Sequence, residues 1–418
     1  MKKRRVVITG TGVISPVGNS TEDFWESLKA GRSGIGLLEG FEEFELPTRI
    51  VGQVKGFDPL NHGLSRVEAR RNDPFSRFAL AAAIEAMTRS GLVAGENIEP
   101  ERLGVYIGSG VGGLTTFVNQ TRVLLEEGAF RISPLFIPTM ISNIGAGNVA
   151  IRFNAQGPCI NTVTACATGT NSLGEAYRAI ASGAADAVIS GGAEAAIHPL
   201  VIGGFASAKA LSTASDPSRA SISFDAGRKG FVLAEGAAVL VLEEYGHALS
   251  RNAEILAEIT GYAATCDAYH ATAPGPEGMS ASRAMRMALE ESGYDAGKDS
   301  LYINAHGTGT ILNDKSETKA IKLALGEGAY RVPVSSTKSM TGHMIAASGA
   351  AEAIACVMAL REGILPPTIG LLDHDPECDL DYVPGSARRA DIDIALDNSL
   401  GFGGHNACLV MRKYCPGL

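Results

Sequence analysis

Thr162-Val-Thr-Ala-Cys166-Ala-Thr-Gly-Thr-Asn-Ser-Leu173 runs from a β-branched stretch through a thiol into a small-residue helical pattern. This pattern predicts that Cys166 lies at or near the N-terminus of a helix. The unpaired N–H groups and the positive end of the helix dipole favour a thiolate there, so we expect a lowered pKa and a nucleophilic sulfur. A packed core cysteine fits the same letters equally well.

Strand and helix patterns alternate along the whole chain. Short β-branched runs at residues 5–9, 105–107, 187–190, 238–242 and 255–262 alternate with alanine-rich stretches at 75–90, 171–182, 281–292 and 346–362. This alternation favours a layered α/β fold. Ile8-Thr9-Gly10 recurs as Ile259-Thr260-Gly261, which suggests two similar halves, residues 1–250 and 251–418, although three letters are within chance.

Composition limits the classes of function. The chain has 418 residues, 45% of them hydrophobic, which is enough for one large core or two fused ones. Its 36 basic and 45 acidic residues give a net charge of -9, which argues against a surface that binds nucleic acid or anionic membrane as a whole. An acidic partner would have to meet a local basic patch.

Targeting and redox signals are weak. The charged start Met1-Lys2-Lys3-Arg4-Arg5 and the apolar Val6-Val7-Ile8 imitate a signal peptide, but the apolar run ends too early, at Thr9. No stretch approaches the roughly 20 apolar residues of a membrane span.

The seven cysteines are scattered without a C-x-x-C pair, so neither a disulfide framework nor a zinc site is indicated. We expect a cytosolic protein with no metal and with reduced thiols, most of them buried.

Two histidines follow strand patterns. Tyr302-Ile-Asn-Ala-His306-Gly-Thr-Gly-Thr310 predicts a strand that releases His306 into a Gly/Thr loop, the place where ligands bind in α/β folds. Val334-Ser-Ser-Thr-Lys338-Ser-Met-Thr-Gly-His343 predicts a strand, a polar loop and then a helix start. Two neutral imidazoles and a lysine could bind an oxyanion or enolate. Structural histidines and a solvated lysine are the competing interpretations.

Glu352 and Phe402 are two further candidates. Glu352 lies nine residues along a helix that begins near His343, among short side chains that would enclose it, and an enclosed carboxylate needs a partner such as Lys338. Otherwise Glu352 is a surface residue. A Gly-rich hairpin is predicted by the segment Asn398-Ser-Leu-Gly-Phe402-Gly-Gly-His-Asn406. This hairpin could hold Phe402 and its N–H against a ligand, although an ordinary tight hairpin fits as well.

Competing motifs are weaker. Gly108-Ser-Gly110-Val-Gly-Gly113 satisfies G-x-G-x-x-G, but the residues after it offer no clear βαβ unit and no acidic ribose ligand, so we do not expect a dinucleotide site. The sequence contains no G-x-S-x-G, P-loop or H-E-x-x-H motif. A hydrolase that uses cysteine and histidine stays open.

Four segments together resemble the thiolase-fold condensing enzymes, in particular the bacterial β-ketoacyl-acyl-carrier-protein synthases of class II. They are Thr164-Ala-Cys166-Ala-Thr-Gly, Asn304-Ala-His306-Gly-Thr-Gly-Thr310, Lys338-Ser-Met-Thr-Gly-His343 and Gly401-Phe402-Gly-Gly-His-Asn406. Their order and spacing match over essentially the whole chain. The resemblance implies an α/β fold, a thiolase-like duplicated five-layer αβαβα sandwich, usually a homodimer, with the nucleophilic cysteine in the first half and both histidines in the second.

The resemblance also implies a reaction. In that family the cysteine takes an acyl chain from a carrier-protein thioester. Malonyl-carrier protein then loses CO2 and attacks the acyl-enzyme, giving the 3-oxoacyl product of fatty acid elongation. No cofactor is implied beyond the phosphopantetheine arm that the acyl carrier protein brings, and a structural monovalent cation is left open.

Roles carry over from the resemblance residue by residue. His306 and His343 would polarise the malonyl thioester and stabilise its enolate, and the N–H groups of Cys166 and Phe402 would form the oxyanion hole, with Phe402 also gating the acyl pocket. The remaining assignments are Lys338 with Glu352 for the electrostatics, Thr308 and Thr310 for the pantetheine arm, Val111 and Leu400 for the acyl pocket, and Arg66, Arg70 and Arg71 for docking an acidic carrier protein. For the three arginines, a plain solvated helix face is the alternative.

The sequence departs mildly from the family. Leu400 stands where many members carry Phe, His405 where many carry Thr, Ala234 where Gly is usual, and Pro74 is in an unusual place. Two histidines beside the cysteine argue for the decarboxylating elongation class over starter-type synthases and degradative thiolases. A polyketide ketosynthase with the same chemistry stays open, whereas a non-catalytic acyl-binding partner subunit would lack the nucleophile that Cys166 supplies.

Overall fold

The structure is a computed structural model that describes residues 4–416. Its strands are β1 (Val6–Ile14), β2 (Gly36–Leu37), β3 (Ile50–Val51), β4 (Leu103–Gly108), β5 (Cys159–Ile160), β6 (Ala187–Glu194), β7 (Gly236–Glu244), β8 (Ala257–Cys266), β9 (Leu301–Asn304), β10 (Val334–Ser335), β11 (Ile364–Leu365), β12 (Arg388–Arg389), β13 (Ile394–Gly401) and β14 (His405–Arg412).

The α-helices include every long helix that the sequence predicted. They are α1 (Thr21–Lys29), α2 (Arg66–Arg71), α3 (Pro74–Ser90), α4 (Leu114–Glu127), α5 (Phe136–Met140), α6 (Ile144–Phe153), α7 (Thr168–Ala181), α8 (Pro199–Ser207), α9 (Tyr245–Ser250), α10 (Met279–Ser292), α11 (Ile311–Leu325), α12 (Lys338–Thr341) and α13 (Ser348–Glu362).

One hydrogen-bonded sheet joins ten of the strands, in the order β10-β9-β13-β14-β8-β1-β7-β6-β4-β5. Outward from the central β8–β1 pair, each side repeats the same directions: antiparallel, antiparallel, parallel and parallel. The two sides are therefore equivalent in both order and direction, as expected of a duplicated unit.

Helices divide this sheet into layers. Helix α3 packs against β1, β7 and β6, and α10 packs against β8 and β14, so these helices cover the outer faces. Helices α7 and α13 contact each other and strands from both sides of the sheet, so they lie between the two halves. Separate apolar clusters fill the central layer and the space under each outer helix. The predicted five-layer αβαβα sandwich is confirmed.

The repeated Ile-Thr-Gly triplet falls at equivalent places in the two halves. Gly10 lies in β1 and Gly261 in β8. A Cβ on Gly10 would lie 2.1 Å from the carbonyl oxygen of Ala86 in α3, and a Cβ on Gly261 would lie 2.1 Å from the carbonyl oxygen of Ala288 in α10. Each strand can lie this close to its outer helix only because the residue has no side chain. The three-letter signal therefore has a physical cause.

The N-terminal apolar run belongs to the core. Val6, Val7 and Ile8 are fully buried in β1, at the centre of the sheet, whereas residues 1–3 of the charged start lie outside the described residues. Among residues 4–416, no helix has the length and apolar character needed to cross a membrane.

Two smaller expectations are also settled. Pro74 is the first residue of α3, where its missing N–H costs nothing, so its unusual place starts a helix. All seven cysteines are free thiols. Cys356, Cys378 and Cys408 are buried, and so is the Sγ of Cys166, so the expectation that most would be buried is confirmed.

Candidate active site

Cys166 lies in a 3-10 turn, Ala165–Ala167, that runs directly into α7. The predicted position near a helix N-terminus is confirmed. Ala165 has φ of 50°, a left-handed conformation that turns the chain sharply just before the thiol. The Gly-rich hairpin between β13 and β14 lies against this turn, since a Cβ on Gly401 would come 3.3 Å from the nitrogen of Cys166.

Burial raises the pKa of Cys166 to about 11, the opposite of the expected direction. Loss of water around the thiolate is the largest cause, and the positive charge of Lys338 and the N–H groups of Phe402 and Cys166 offset it only in part. The helix terminus is present, but it does not outweigh burial. Cys166 is therefore a protonated thiol at neutral pH, and activation has to accompany substrate binding.

His306 and His343 meet beside this thiol although they follow two different strands. Their side chains are 3% and 2% exposed, and their rings lie edge to face with centroids 5.3 Å apart. The Sγ of Cys166 and one ring nitrogen of each histidine all lie within 4.8 Å of one another. Burial, followed by the charge of Lys338, lowers the pKa of both histidines well below its usual value, so both imidazoles are neutral.

The same three side chains are the candidate metal-binding group among residues 4–416. A metal ion prefers a thiolate to a thiol. Burial favours the protonated thiol of Cys166, so a metal ion would have to displace that proton at a cost in free energy.

Lys338 and Glu352 form a buried pair behind the histidines. The Nζ of Lys338 lies 2.5 Å from Oε1 of Glu352 and 3.3 Å from Nδ1 of His306. Both residues are buried, so the surface interpretations of both are wrong, and the expected partner of Glu352 is confirmed. An ammonium group can only donate, so Nδ1 of His306 accepts and its proton is on Nε2.

Local structure around this pair differs from the prediction. Lys338 begins α12, one helical turn, where a polar loop was expected. Helix α13 begins at Ser348 and not near His343. The buried hydroxyls and carbonyls of the segment explain the turn, because backbone groups away from water must be paired.

A cavity of about 340 Å³ opens onto Cys166, His306 and His343. Among the residues assigned by the resemblance, Thr308, Thr310, Leu400 and Phe402 also line it. The structure thus brings together the cysteine, both histidines, the threonine loop and the Gly-rich hairpin, which are spread over some 240 positions of sequence from Cys166 to Phe402.

Other assigned residues lie elsewhere. Val111 does not line this cavity and is 44% exposed on the surface of the chain. Arg66, Arg70 and Arg71 are exposed on α2, and the last two line a separate shallow groove with Thr116, Gln120 and Phe136. The structure does not bring the arginines into the cavity lining.

Lys209 and Lys229 are basic residues that the sequence reasoning missed. Both are exposed, both line the cavity, and neither forms an ion pair among the described residues. Neither belongs to a motif with its own chemistry. Only the packing of α8 and the 224–236 segment against the cavity places two positive charges at the same rim.

Glu194 was missed as well, and it explains the G-x-G-x-x-G run. Its buried carboxylate accepts hydrogen bonds from Oγ of Ser109 at 3.1 Å, from the nitrogen of Gly110 at 2.9 Å and from that of Val111 at 3.2 Å. These N–H groups are the ones that a dinucleotide phosphate would need. The carboxyl group of Glu194, whose pKa burial raises to about 7, already accepts from them, so these N–H groups are not free to bind an anion.

Of the two reasons for not expecting a dinucleotide site, the missing βαβ unit is wrong, whereas the missing acidic ribose ligand holds, because Asn161 follows β5. Helix α4 follows the glycine run at once, and β4 pairs in parallel with β5, so the unit has βαβ character. The glycines serve close packing, because a Cβ on Gly113 would lie 2.5 Å from the carbonyl oxygen of Thr139.

Glu317 is a third missed carboxylate. It accepts from the backbone nitrogens of His306 at 2.7 Å and Gly307 at 2.8 Å, and from Nδ2 of Asn398 at 2.6 Å. Burial raises its pKa to about 7. Glu317 therefore fixes the loop that carries His306. No sequence signal marks it, because two of its partners are backbone groups and the third, Asn398, lies 81 positions away.

Comparison with known proteins agrees with this geometry. The sequence matches the β-ketoacyl synthase N-terminal domain over residues 3–248 and the C-terminal domain over residues 256–372. It is 51% identical over 415 residues to 3-oxoacyl-acyl-carrier-protein synthase 2 of Synechocystis sp., covering 99% of each chain.

Solved structures share the fold. A β-ketoacyl synthase from Burkholderia phymatum STM815 superposes with a TM-score of 0.91 at 36% identity, covering 99% of this chain and 100% of that one. A type II PKS ketosynthase, solved in complex with its acyl-carrier protein and bound to the hexaketide, superposes with a TM-score of 0.90 at 35% identity and the same coverage.

Proposed function

The chain belongs to the β-ketoacyl synthase family, and from this we propose that it condenses an acyl-enzyme thioester with malonyl-acyl carrier protein, with loss of CO2. The product is a 3-oxoacyl-acyl carrier protein, one elongation step of fatty acid synthesis. Three atoms support this assignment above all: the Sγ of Cys166 and the facing ring nitrogens of His306 and His343, gathered within 4.8 Å in one cavity.

In the first half of the reaction, the sulfur of Cys166 attacks the acyl carbonyl. A new thioester bond to Cys166 forms, the bond to the pantetheine sulfur breaks, and the thiol proton of Cys166 ends on the departing pantetheine thiol. The N–H groups of Cys166 and Phe402 are placed to stabilise the oxyanion, since both already point toward the cysteine sulfur. The phenyl ring of Phe402, in the cavity wall, would gate the acyl chain.

In the second half, the two neutral histidines act on malonyl-carrier protein. The Nε2–H of His306 and a ring N–H of His343 would donate to the malonyl thioester oxygen and stabilise the enolate left when CO2 departs. The enolate carbon attacks the acyl-enzyme, the bond to Cys166 breaks, and the thiolate regains a proton from solvent. Lys338 would keep both imidazoles neutral while Glu352 balances its charge.

Docking of the carrier protein would occur at the rim of the cavity. Lys209 and Lys229 lie there without an ion-pair partner among residues 4–416, and an acidic partner would find a positive patch on an otherwise negative chain. Thr308 and Thr310 line the cavity inside this rim and could bond the pantetheine arm. Arg66, Arg70 and Arg71 on α2, outside the cavity lining, would offer the carrier protein a second basic contact. With all seven cysteines unpaired, we place the protein in the reducing cytosol.

A structural monovalent cation fits a buried polar cluster beside the site. Among residues 4–416, both polar side-chain atoms of Asn304, Oδ1 of Asp397 and Oε2 of Glu352 are buried without a hydrogen-bond partner. Asn304 and Asp397 are paired on adjacent strands. Burial, and then the charge of Glu352, raises the pKa of Asp397 well above its usual value. Carboxyl and amide oxygens without a partner suit a hard cation, which would favour the charged form of Asp397 and supply charge balance only.

A homodimer is proposed through the face that carries Val111. Hydrogen bonds of Asn161 to Ser109 and Ser142 join the Val111 loop, the 140–142 segment and the edge strand β5 into one surface. Its exposed apolar side chains are Val111, Phe117, Leu135, Ile137, Ile141, Ile160 and Val163. A second copy would cover both this patch and the open strand edge.

Sedimentation of the purified protein tests the dimer. The wild type should sediment as a dimer and Ile160→Asp as a monomer, and a monomeric wild type would refute the proposal.

The test of function uses the purified protein with malonyl-carrier protein and acyl-carrier proteins of several chain lengths, with products read by intact mass. We expect a product heavier than the primer by one acetyl unit, CO2 release, and no product from Cys166→Ala. Failure to form acyl-enzyme or product with every fatty acyl primer would end the fatty acid assignment. A specialised polyketide ketosynthase, or a silent acyl-binding subunit, would then take its place.

A further inference from the structure

Ser348 contacts the imidazole of His343 from the side opposite the cavity. Its Oγ lies 2.9 Å from Nδ1 of His343, and both residues are at most 2% exposed. Ser348 is the first residue of α13, five positions after the histidine. Among the described residues, Nδ1 of His343 is the one hydrogen-bond partner of the Ser348 hydroxyl.

The rest of His343 is already fixed by other contacts. Its backbone nitrogen donates to the carbonyl of Val232 at 2.8 Å, and its carbonyl accepts from the nitrogen of Ala234 at 2.9 Å. The ring of Phe231 packs against the imidazole at a centroid distance of 5.2 Å. With backbone and ring held in place, the remaining freedom of a neutral imidazole is which nitrogen carries its proton.

We propose that Ser348 is a positioning residue that donates its hydroxyl proton to Nδ1 of His343 and so holds the ring in the Nε2–H tautomer. In the reverse arrangement, Nδ1–H would donate to Oγ, and the serine proton would be buried without an acceptor. A buried donor left unpaired is unfavourable, because it gives up its hydrogen bonds to water and gains none in the protein. Donation by Ser348 avoids this cost.

The proton on Nε2 then faces the cavity. Nε2 of His343 is buried, lies beside the facing atoms of Cys166 and His306, and has no hydrogen-bond partner among residues 4–416. His306 reaches the same tautomer by another route, since Lys338 donates to its Nδ1. Two Nε2–H donors therefore converge on one point, where the thioester oxygen of malonyl-carrier protein would lie. The role of these two N–H donors in catalysis rests on the proposed function, whereas the Nε2–H tautomer of His343 does not.

The tautomer is measured first, on the full-length wild-type protein with 15N-labelled histidine. The His343 signals are assigned by comparison with His343→Asn. We expect a protonated Nε2 and a bare, hydrogen-bonded Nδ1 at neutral pH. In Ser348→Ala, Nδ1 should lose its hydrogen-bonded shift and an Nδ1–H population should emerge. Ser348→Thr, which keeps the hydroxyl, should retain the wild-type spectrum.

Kinetic measurements then distinguish a specific effect of Ser348 on the His343 tautomer from a general disturbance of the structure. Ser348→Ala should lower kcat for malonyl decarboxylation about 5-fold to 10-fold, the value of one lost hydrogen bond, with an unchanged KM for malonyl-carrier protein and an unchanged rate of Cys166 acylation. The control is Ser282→Ala, because Ser282 is equally buried in the first turn of α10 and its Oγ has no hydrogen-bond partner in the described part of the chain. It should change neither kinetics nor spectrum.

Two results would overturn the inference. One is an Nδ1–H proton on His343 in the wild type, which would make Ser348 the acceptor. The other is an Ser348→Ala spectrum identical to that of the wild type. If the protein condensed no acyl primer but showed the expected tautomers, the proposed function would fail while the placement of the proton by Ser348 would stand.

Discussion

Lys338 Nζ lies 3.3 Å from Nδ1 of His306, and the same ammonium lies 2.5 Å from Glu352. One buried cation thereby sets the tautomer of a histidine and is itself neutralised by a carboxylate. Charge balance and proton placement are coupled in this pair, so a single substitution at Lys338 disturbs both.

Lys338→Met should impair both stability and catalysis. We expect a large loss of stability, about 3–5 kcal/mol, because Glu352 is left as an unpaired buried charge. Malonyl decarboxylation should fall roughly 10-fold to 100-fold because His306 loses a charged donor. Thermal unfolding and steady-state decarboxylation are the measurements.

A double variant supplies the control. Lys338→Met combined with Glu352→Gln should recover most of the stability, since neither position of the pair then carries a charge, yet decarboxylation should stay slow. Recovery of both properties together would mean that Lys338 acts only through folding.

The pKa of Cys166 gives a pH prediction with a definite sign. A thiol whose pKa is raised to about 11 by burial is less than ~0.1% thiolate at pH 7, and that fraction rises tenfold per pH unit. Alkylation of Cys166 by iodoacetamide, followed by peptide mass spectrometry, should therefore accelerate continuously up to about pH 10. The exposed Cys266 serves as an internal reference in the same sample. A plateau near neutral pH would show that the helix terminus and Lys338 outweigh burial.

Carrier docking predicts an effect on KM. The double variant Lys209→Glu and Lys229→Glu should raise the KM for acyl-carrier protein about tenfold or more, more strongly at low salt, because charge complementarity governs encounter. The acylation rate with a short acyl-pantetheine should not change. Lys298→Glu, an exposed lysine outside the cavity lining, is the matched control. If only the triple charge reversal of Arg66, Arg70 and Arg71 raised the KM, the carrier would dock on α2.

The proposed cation predicts a salt-specific stability. At equal ionic strength, the Tm in potassium chloride should exceed that in tetramethylammonium chloride, because the larger ion cannot enter a buried oxygen cluster. Asp397→Asn should abolish the difference, since it removes the carboxylate that the cation would balance. Equal Tm values in both salts for the wild type would refute the site.

The duplicated strands predict matched stability losses. Gly10→Ala and Gly261→Ala should each destabilise the protein by about 1–3 kcal/mol, because the new methyl group would press on a helix carbonyl. Gly203→Ala in α8 is the control, since a Cβ there meets nothing within 4 Å, and it should be neutral or slightly stabilising. Denaturant unfolding measures all three. A tolerated Gly261→Ala beside a damaging Gly10→Ala would mean that the two halves are not equivalent in packing.

Local patterns in the sequence determined much of this protein. The β-branched and alanine-rich periods predict β4, β6, α3 and α10 because side-chain burial at fixed spacing is a local property. The run ending at Cys166 predicts the helix start, and the glycines around Phe402 predict the β13–β14 hairpin, since both depend on neighbouring residues. The recurring Ile-Thr-Gly triplet already pointed to the duplication.

Tertiary structure alone decided the rest. Glu194 and Glu317 hold backbone N–H groups more than 80 and about 10 positions away, and no pattern in side chains records a bond to backbone. Lys209 and Lys229 share a cavity rim only after α8 packs. The pKa of Cys166 turned opposite to its sequence prediction because desolvation depends on every group packed around the sulfur, whereas the helix terminus that the sequence reveals is one local contribution.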